Sequence, residues 1–331
     1  MVGVERWDRV GRGAAYGAAL ALSPYLLIKV TWVVGSLLGV APIGKGFDIT
    51  GWVLLNTVTI GMAGIGIATA LALVRPWGMR IPGRLVLFCA WTGSGFLVSI
   101  LPYAVFSTLL DAAHGGSGGG GGSDEAVMPG WEAALVQFSF VGMGLGLAVA
   151  LPAYLRRRWP HAFLGRVGDG DGADTPRPGA ASRRRRVVEA ARASWVALVA
   201  VVVGLVWLYW AVGGTLGISR PDERDTNGYV LTGVGAFWAL AGAAATRTLA
   251  RARPAGLRHR LLLGLGWLGS GSLFAWSGWK LPIMLLFALV HPADVTLPEN
   301  LAVAAVLHLA AVVAGAAMLR TLVVSRPRAQ S

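Results

Sequence analysis

The sequence has little charge and almost no cysteine. Only 14% of the 331 residues are charged, whereas a soluble domain has about 25%. Cys89 is the single cysteine, which excludes internal disulfides and cysteine-based metal sites. Hydrophobic residues make up 55% of the chain. This composition excludes an ordinary soluble domain and favours a protein of the lipid bilayer.

The sequence also lacks the motifs of hydrolytic enzymes that work in the bilayer. It has no His-Glu-x-x-His pattern and no pair of aspartates inside an apolar run, and its 16 acidic residues lie in polar segments or near the ends of apolar ones. Such enzymes need acids, bases or metal ligands at depth. We therefore expect no enzymatic activity, no cofactor and no bound metal.

Long apolar runs are what the sequence does have. A helix needs about 20 apolar residues to cross a bilayer, and a spanning segment must be helical because no water is available to its backbone. Eight runs are long enough: 14–40, 51–74, 85–110, 131–155, 194–217, 228–250, 261–290 and 301–323.

Short motifs recur between the first four runs and the last four. The stretch W-V-V-G-S-L-L-G at Trp32 returns as W-A-V-G-G-T-L-G at Trp210, and W-T-G-S-G at Trp91 returns as W-L-G-S-G at Trp267. The partners lie 176–178 residues apart. We predict an all-α membrane protein of eight transmembrane helices, arranged as two parallel four-helix repeats with a site between them.

Basic residues predict the orientation of these helices. With a cytoplasmic N-terminus, 24 of the 29 Lys and Arg lie in inner segments and 3 in outer loops, as the positive-inside rule requires. Both termini are therefore predicted to be cytoplasmic. The predicted division of the chain is a cytoplasmic N-terminus at 1–13, a first half at 14–155, a basic, partly disordered cytoplasmic linker at 156–193, a second half at 194–323 and a cytoplasmic tail at 324–331.

The linker suggests one partner. Its cluster Arg183, Arg184, Arg185 and Arg186 would attract anionic lipid headgroups by about 1 kcal/mol per residue. A stop to translocation is the alternative role. Since basic residues are spread over five short segments, we expect no nucleic-acid binding. Tryptophans at helix ends, Trp52 among them, are expected to form interfacial belts.

Three ionisable residues inside the runs are candidate binding residues. Lys29 lies near the middle of the first run, three residues before Trp32, where an ammonium costs about 2.5–3.5 kcal/mol. It should face a hydrated cavity, bind an anion or be deprotonated. Trp32 and Trp207 are further candidate binding residues, and Trp207 occupies the position of Lys29 in the second half. Lys280 binds or snorkels to the outer surface, and His308 is a binding residue or a hydrogen-bonded core histidine.

The third run of each half carries a further pair of candidates. Ser94 is followed by Pro102, and Ser270 by Pro282. Proline removes a hydrogen-bond donor, so each helix should kink or break there. Matching interrupted helices are typical of transporter sites. A packing kink inherited by duplication is the alternative.

The stretches around Trp32 and Trp210 resemble a Trp-Ala-Leu-Gly-Gly-like signature of uncharacterised multi-pass membrane proteins from high-GC actinobacteria. The excess of Arg over Lys, 26 to 3, fits that background. The resemblance implies a bacterial plasma membrane and no catalytic residues. Two functions stay open: transport or flipping of a small anionic or amphipathic solute, and a non-transporting scaffold, sensor or accessory protein.

Overall fold

The computed structural model describes residues 2–44, 48–113, 130–158, 180–251, 258–290 and 298–324. Within these ranges the protein is helical and has no named strand; Ile218 and Glu299 form an isolated antiparallel bridge. The α-helices are α1 (Val2–Leu37), α2 (Ile49–Ala72), α3 (Pro76–Arg80), α4 (Gly83–Ala113), α5 (Gly130–Arg158), α6 (Ala180–Ala211), α7 (Thr226–Arg251), α8 (His259–Val290) and α9 (Leu301–Val324).

Seven of these helices are long and apolar enough to cross a bilayer, as judged by length and composition. They are α1, α2, α4, α5, α6, α7 and α9. The predicted all-helical class is thus confirmed, and the helices fit a multi-pass membrane protein. Helix α8 is not among the seven found within the described residues; its middle is rich in glycine, serine and tryptophan and contains Lys280. Eight spans therefore stay a prediction.

Several helices are longer than their apolar runs. Helix α1 begins at Val2, so it includes most of the segment 1–13, whose cytoplasmic location stays a prediction. Contacts with α5 explain the extension, because Arg156 lies over the Trp7 ring and Arg157 lies 3.8 Å from Asp8. The linker 156–193 is helical at both described ends, up to Arg158 and from Ala180. The side chains of Arg183–Arg186 lie outside the described residues.

The chain forms two compact units, Met1–Arg158 and Trp159–Ser331. In unit 1, α1 packs against α2 and α5, and α4 runs beside both of these partners. Small residues bring α1 and α5 together: a Cβ added at Gly142 or Gly146 would overlap Ala21 or Ala18. Small residues one turn apart are typical of close helix pairs in membranes.

In unit 2, α6 packs on α7 and α9, and α8 packs on α7 and α9. A Cβ added at Gly269 would come within 2.6 Å of the Gly242 Cα, and one at Gly315 would overlap the Ser270 carbonyl oxygen. Helix backbones therefore touch at both crossings of α8. The core is apolar and includes Val203, Trp207, Trp210, Ala239, Leu273, Ala311 and Met318.

The two units share the order in which their four long helices pack around each bundle. They differ in the third helix, since α4 touches α2 and α5 over a shorter length than α8 touches α7 and α9. The repeat arrangement, and the site predicted between the halves, stay predictions.

Candidate functional site

The most unusual side chain of unit 1 is a buried lysine amine. Lys29 on α1 is 6% exposed. Its Nζ lies 4.1 Å from the centre of the Trp32 ring and 5.6 Å from that of Tyr25. The amine therefore lies inside unit 1 and is not directed out of the bundle. Ring faces carry partial negative charge and therefore attract a cation.

A second layer of this site comes from α2. The ring of Trp32 stacks on Trp52, with centroids 5.6 Å apart and planes at 22°. Trp52 is 3% exposed, which corrects its predicted place in an interfacial belt. Gly44 lies so close to the Trp52 ring that a Cβ there would overlap it. Gly44 therefore packs directly against the Trp52 ring.

Local chain reversal places these two tryptophans side by side. Helix α1 ends at Leu37, and Gly39 adopts a φ of 71°, a conformation that glycine adopts without strain. The amides of Val40 and Ala41 then donate to the Gly35 carbonyl at 2.9 and 3.1 Å. Asp48 caps the start of α2 by accepting from the Gly51 amide at 3.0 Å.

An amide lies at the depth of the amine. Asn56 follows Trp52 by one turn of α2, is 1% exposed and donates to the Trp52 carbonyl at 2.8 Å. Lys29 precedes Trp32 by one turn of α1. Since α1 and α2 run in opposite directions and their tryptophans stack, Lys29 and Asn56 belong to the same layer. This layer lies eight residues before the end of α1, or about 12 Å below it.

These residues form the aromatic lysine site: Tyr25, Lys29, Trp32, Trp52 and Asn56. The amine and the amide are hydrogen-bond donors, and the three rings offer apolar faces. This combination suits an anionic group joined to an apolar or aromatic body.

Unit 2 holds a buried polar pair. Ser277 Oγ on α8 and His308 Nδ1 on α9 share a hydrogen bond of 2.9 Å, and the two residues are 0% and 5% exposed. The Trp207 ring centroid lies 5.6 Å from that of His308. Two predicted site residues, Trp207 and His308, are thus neighbours. The pair joins α8 to α9 inside a packed core.

Lys280 is half-buried on the same helix as Ser277. Its Nζ lies 5.6 Å from the centre of the Trp276 ring, one turn back along α8. The residue thus contacts its own helix, as a snorkelling lysine does, and binding at Lys280 stays a prediction.

The remaining predicted residues make local contacts. Ser94 donates to the Trp91 carbonyl and Ser270 to the Trp267 carbonyl, each at 3.1 Å. These equivalent serines therefore bond to their own helices.

The predicted helix breaks are wrong, because α4 continues through Pro102 and α8 through Pro282. A bend at Pro102 in α4 and at Pro282 in α8 stays a prediction. Pro282 is exposed on its bundle.

Sequence reasoning missed Tyr25 and Ser277. The signal for Tyr25 was its position four residues before Lys29, which puts both on one helix face. The signal for Ser277 was its position one turn before Lys280.

No protein-family model, curated protein or solved structure matches the chain. The role of the site therefore has to be argued from its own geometry.

Proposed function

We propose that the protein is a transporter or flippase that binds an anionic or amphipathic solute at the aromatic lysine site. The observation that carries the proposal is the burial of the Lys29 amine, at 6% exposure, against the Trp32 ring. Ionisable side chains inside membrane helices are rare and usually mark substrate or ion pathways.

The site is suited to keeping a positive charge at depth. An ammonium at the centre of a spanning helix costs about 2.5–3.5 kcal/mol, which is an upper value for Lys29 because it lies eight residues from the end of α1. A desolvated contact with an aromatic face returns about 2 kcal/mol, and Lys29 has Trp32 at 4.1 Å and Tyr25 at 5.6 Å. The rings thus offset much of the cost, and a positively charged amine at this position suits an anionic group.

The surrounding rings define the rest of the solute. Trp32 and Trp52 stack directly above the layer of Lys29 and Asn56. An anionic group held by the amine would leave its apolar part against these rings. Amphipathic anions, such as anionic lipids and fatty acids, have this arrangement, whereas small inorganic anions would leave the rings unused.

The alternative function is a non-transporting scaffold, sensor or accessory protein. The observation that favours it is the solid packing of unit 2, where α7, α8 and α9 touch through Gly242, Gly269 and Gly315. A bundle joined at its backbones resists the rearrangement that transport needs. This packing equally suits a rigid support for a mobile unit 1.

We propose no catalytic role for Ser277 and His308, although a serine and a histidine can form a nucleophile and base. Both side chains are buried within a packed core, and Ser277 is 0% exposed. A bond to be cleaved would have to reach the serine oxygen through that packing. We likewise propose that the protein works without a metal or a cofactor.

Lipid flipping in proteoliposomes tests the proposal. The probe is phosphatidylglycerol with a fluorescent acyl chain, and an external membrane-impermeant quencher reports the fraction moved between leaflets. Wild type is compared with Lys29→Met and with the matched control Lys280→Met, which removes the other intramembrane lysine. We expect Lys29→Met to fall to the rate of protein-free vesicles and Lys280→Met to stay near wild type.

A fluorescent fatty acid is the second probe, because it keeps the anion and a single chain. Movement of either probe that depends on Lys29 supports transport. Movement of neither probe above the protein-free rate would contradict it and favour the scaffold. An equal loss of probe movement in Lys29→Met and Lys280→Met would show that the aromatic lysine site has no specific role in transport.

A further inference from the structure

Arginines meet at the end of unit 1 where α1 begins, which the loop charges predict to be cytoplasmic. Segments 1–13, 75–84 and 156–158 hold nine arginines and two acidic residues. Helix α5 ends in Arg156, Arg157 and Arg158, and Arg75 follows the last turn of α2. We call Arg75, Arg156, Arg157 and Arg158 the arginine collar.

Two members of the collar lie over exposed aromatic rings of α1. The Arg156 guanidinium carbon lies 5.0 Å from the centre of the Trp7 ring, and that of Arg75 lies 5.4 Å from the Tyr16 ring. Both arginines are exposed, and the rings are 50% and 41% exposed. A ring covers one face of a guanidinium, while the N–H donors lie in its plane and point sideways. Phosphate oxygens are bound in that plane.

The other two members of the collar, Arg157 and Arg158, make contacts within unit 1. Arg157 donates to the Leu73 carbonyl near the end of α2 and lies 3.8 Å from Asp8 on α1. Arg158 donates to the Tyr154 hydroxyl at 3.0 Å. The Arg157 contacts tie α1, α2 and α5 together, whereas the Arg158 bond lies within α5. The helix ends that carry Arg75 and Arg156 are thus held next to each other.

Exposed apolar side chains lie at the same end. Helix α3 carries Trp77, 40% exposed, and Met79, 53% exposed. Tryptophan and tyrosine beside exposed arginines are typical of the depth at which lipid headgroups meet the acyl chains. A soluble phosphate would have no use for these apolar surfaces.

We propose that the arginine collar binds the headgroup phosphate of anionic phospholipids, with Arg75 and Arg156 as the phosphate ligands. Trp7, Tyr16 and Trp77 contact the region just below the headgroup. This site is separate from the aromatic lysine site and from the Arg183–Arg186 cluster. It would hold unit 1 at a fixed depth in an anionic leaflet, whatever the protein transports.

The test is native mass spectrometry of the full-length protein in maltoside micelles, titrated with phosphatidylglycerol. The variant is Arg75→Gln with Arg156→Gln, and the control is Arg80→Gln with Arg84→Gln, which removes two exposed arginines from the same end of unit 1. We expect the collar variant to bind about 25-fold more weakly, at about fivefold per arginine. The control should change less than about threefold at high salt, which screens distant charge.

Equal losses in the two double variants would overturn the proposal, since bulk charge would then explain the binding. Thermal unfolding of each variant shows that it is folded, and both variants alter exposed residues. Arg75→Lys with Arg156→Lys keeps the charge but loses the planar donors, and should bind with intermediate strength.

Two further probes identify the ligand chemistry. Phosphatidylcholine should bind wild type and the collar variant equally, because its net charge is zero. Inorganic phosphate at millimolar concentration should leave phosphatidylglycerol bound. Complete competition by inorganic phosphate would assign the site to a soluble anion and contradict the lipid.

Discussion

Tyr25, Lys29 and Trp32 lie on one face of α1 because they are four and three residues apart. The Tyr25 and Trp32 rings each attract the Lys29 amine through a cation–π contact. An aliphatic side chain of similar size would not provide this attraction. Trp32 should therefore stabilise the protein in two ways: by the apolar area that it buries and by its contact with the Lys29 amine.

A double-mutant cycle measures this dependence. Trp32→Leu should lower the free energy of unfolding by about 1–2 kcal/mol more in wild type than in a Lys29→Met background, because only the first loses the cation–π contact. Thermal or denaturant unfolding in detergent provides the measurement. Trp131→Leu, at a residue 61% exposed, is the control and should cost little. Equal losses in both backgrounds would show that the ring does not stabilise the amine.

The Ser277–His308 pair should stabilise unit 2. Ser277→Ala would leave the His308 Nδ1 without its 2.9 Å partner, at a cost of about 1–3 kcal/mol in a buried site. Adding His308→Leu removes the second polar group, so the double variant should be more stable than the sum of the two losses predicts. Strict additivity in unfolding experiments would show that the bond contributes nothing.

For single residues, the sequence was informative where a residue type is rare in apolar runs. Lys29 and His308 were predictable because ionisable residues seldom occur in apolar runs. Trp52 and Ser277 are common residue types there, and their roles depend on how two helices are rotated against each other. Sequence spacing within one helix does not determine that rotation, so Trp52 was wrongly placed in an interfacial belt.

Among the elements, α8 is held by the closest backbone contacts of unit 2. A Cβ at Gly269 would lie 2.5 Å from the Trp238 carbonyl oxygen and 2.6 Å from the Gly242 Cα. Backbone atoms cannot rotate away as a side chain can. We therefore expect Gly269→Ala to force α7 and α8 apart.

The expected loss is about 1–3 kcal/mol or more, as for other overpacked cores. Gly264→Ala on the same helix is the matched control, because nothing lies within 4 Å of the added Cβ. It should be neutral or stabilising by up to about 1 kcal/mol, since alanine favours helix. Thermal unfolding of the two variants gives the comparison. Similar melting temperatures would contradict the close contact.

The apolar runs predicted the existence of the long helices but missed their ends and their continuity. Helix α1 reaches back to Val2 because side chains of α5 hold its polar first turns, and such contacts are invisible in a hydropathy pattern. The prolines predicted a kink or a break, and the continuity of α4 and α8 excludes the break. Backbone groups freed by a proline in a membrane helix can be satisfied locally, so the helix need not end.

For the whole molecule, the role of α8 decides the topology. It packs along α7 and α9, both apolar enough to span, and we propose that it spans with them. Eight spans place both termini on the same side, whereas seven place them on opposite sides. In a Cys89→Ala background, cysteines introduced at Ser219 and at Ser331 report the two sides separately.

We expect an impermeant maleimide added to intact cells to label Ser219→Cys and to leave Ser331→Cys unlabelled until the cells are opened. Labelling of Ser331→Cys from outside would show that α8 does not span. Protection of Ser219→Cys would overturn the orientation that the positive-inside rule predicts. The single native cysteine makes this experiment practical.

The duplication predicted four long helices per half, and each unit has four, packed in the same order. Sequence offset alone could not foresee the unequal packing of α4 and α8. Nor could it foresee the different surroundings of Lys29 and Trp207, which the predicted repeat would place at corresponding positions: Lys29 contacts aromatic rings, and Trp207 packs on His308.

The central claim, that Lys29 serves a solute, is tested most directly by measuring stability and flux on the same Lys29→Met preparation. The account predicts unchanged or raised thermal stability in detergent, because a buried charge has been removed, together with loss of phosphatidylglycerol flipping. Lys29→Arg should restore the flipping only in part, because a planar guanidinium differs in shape from an ammonium. Lowered stability with unchanged flipping would contradict the account and make Lys29 a structural residue.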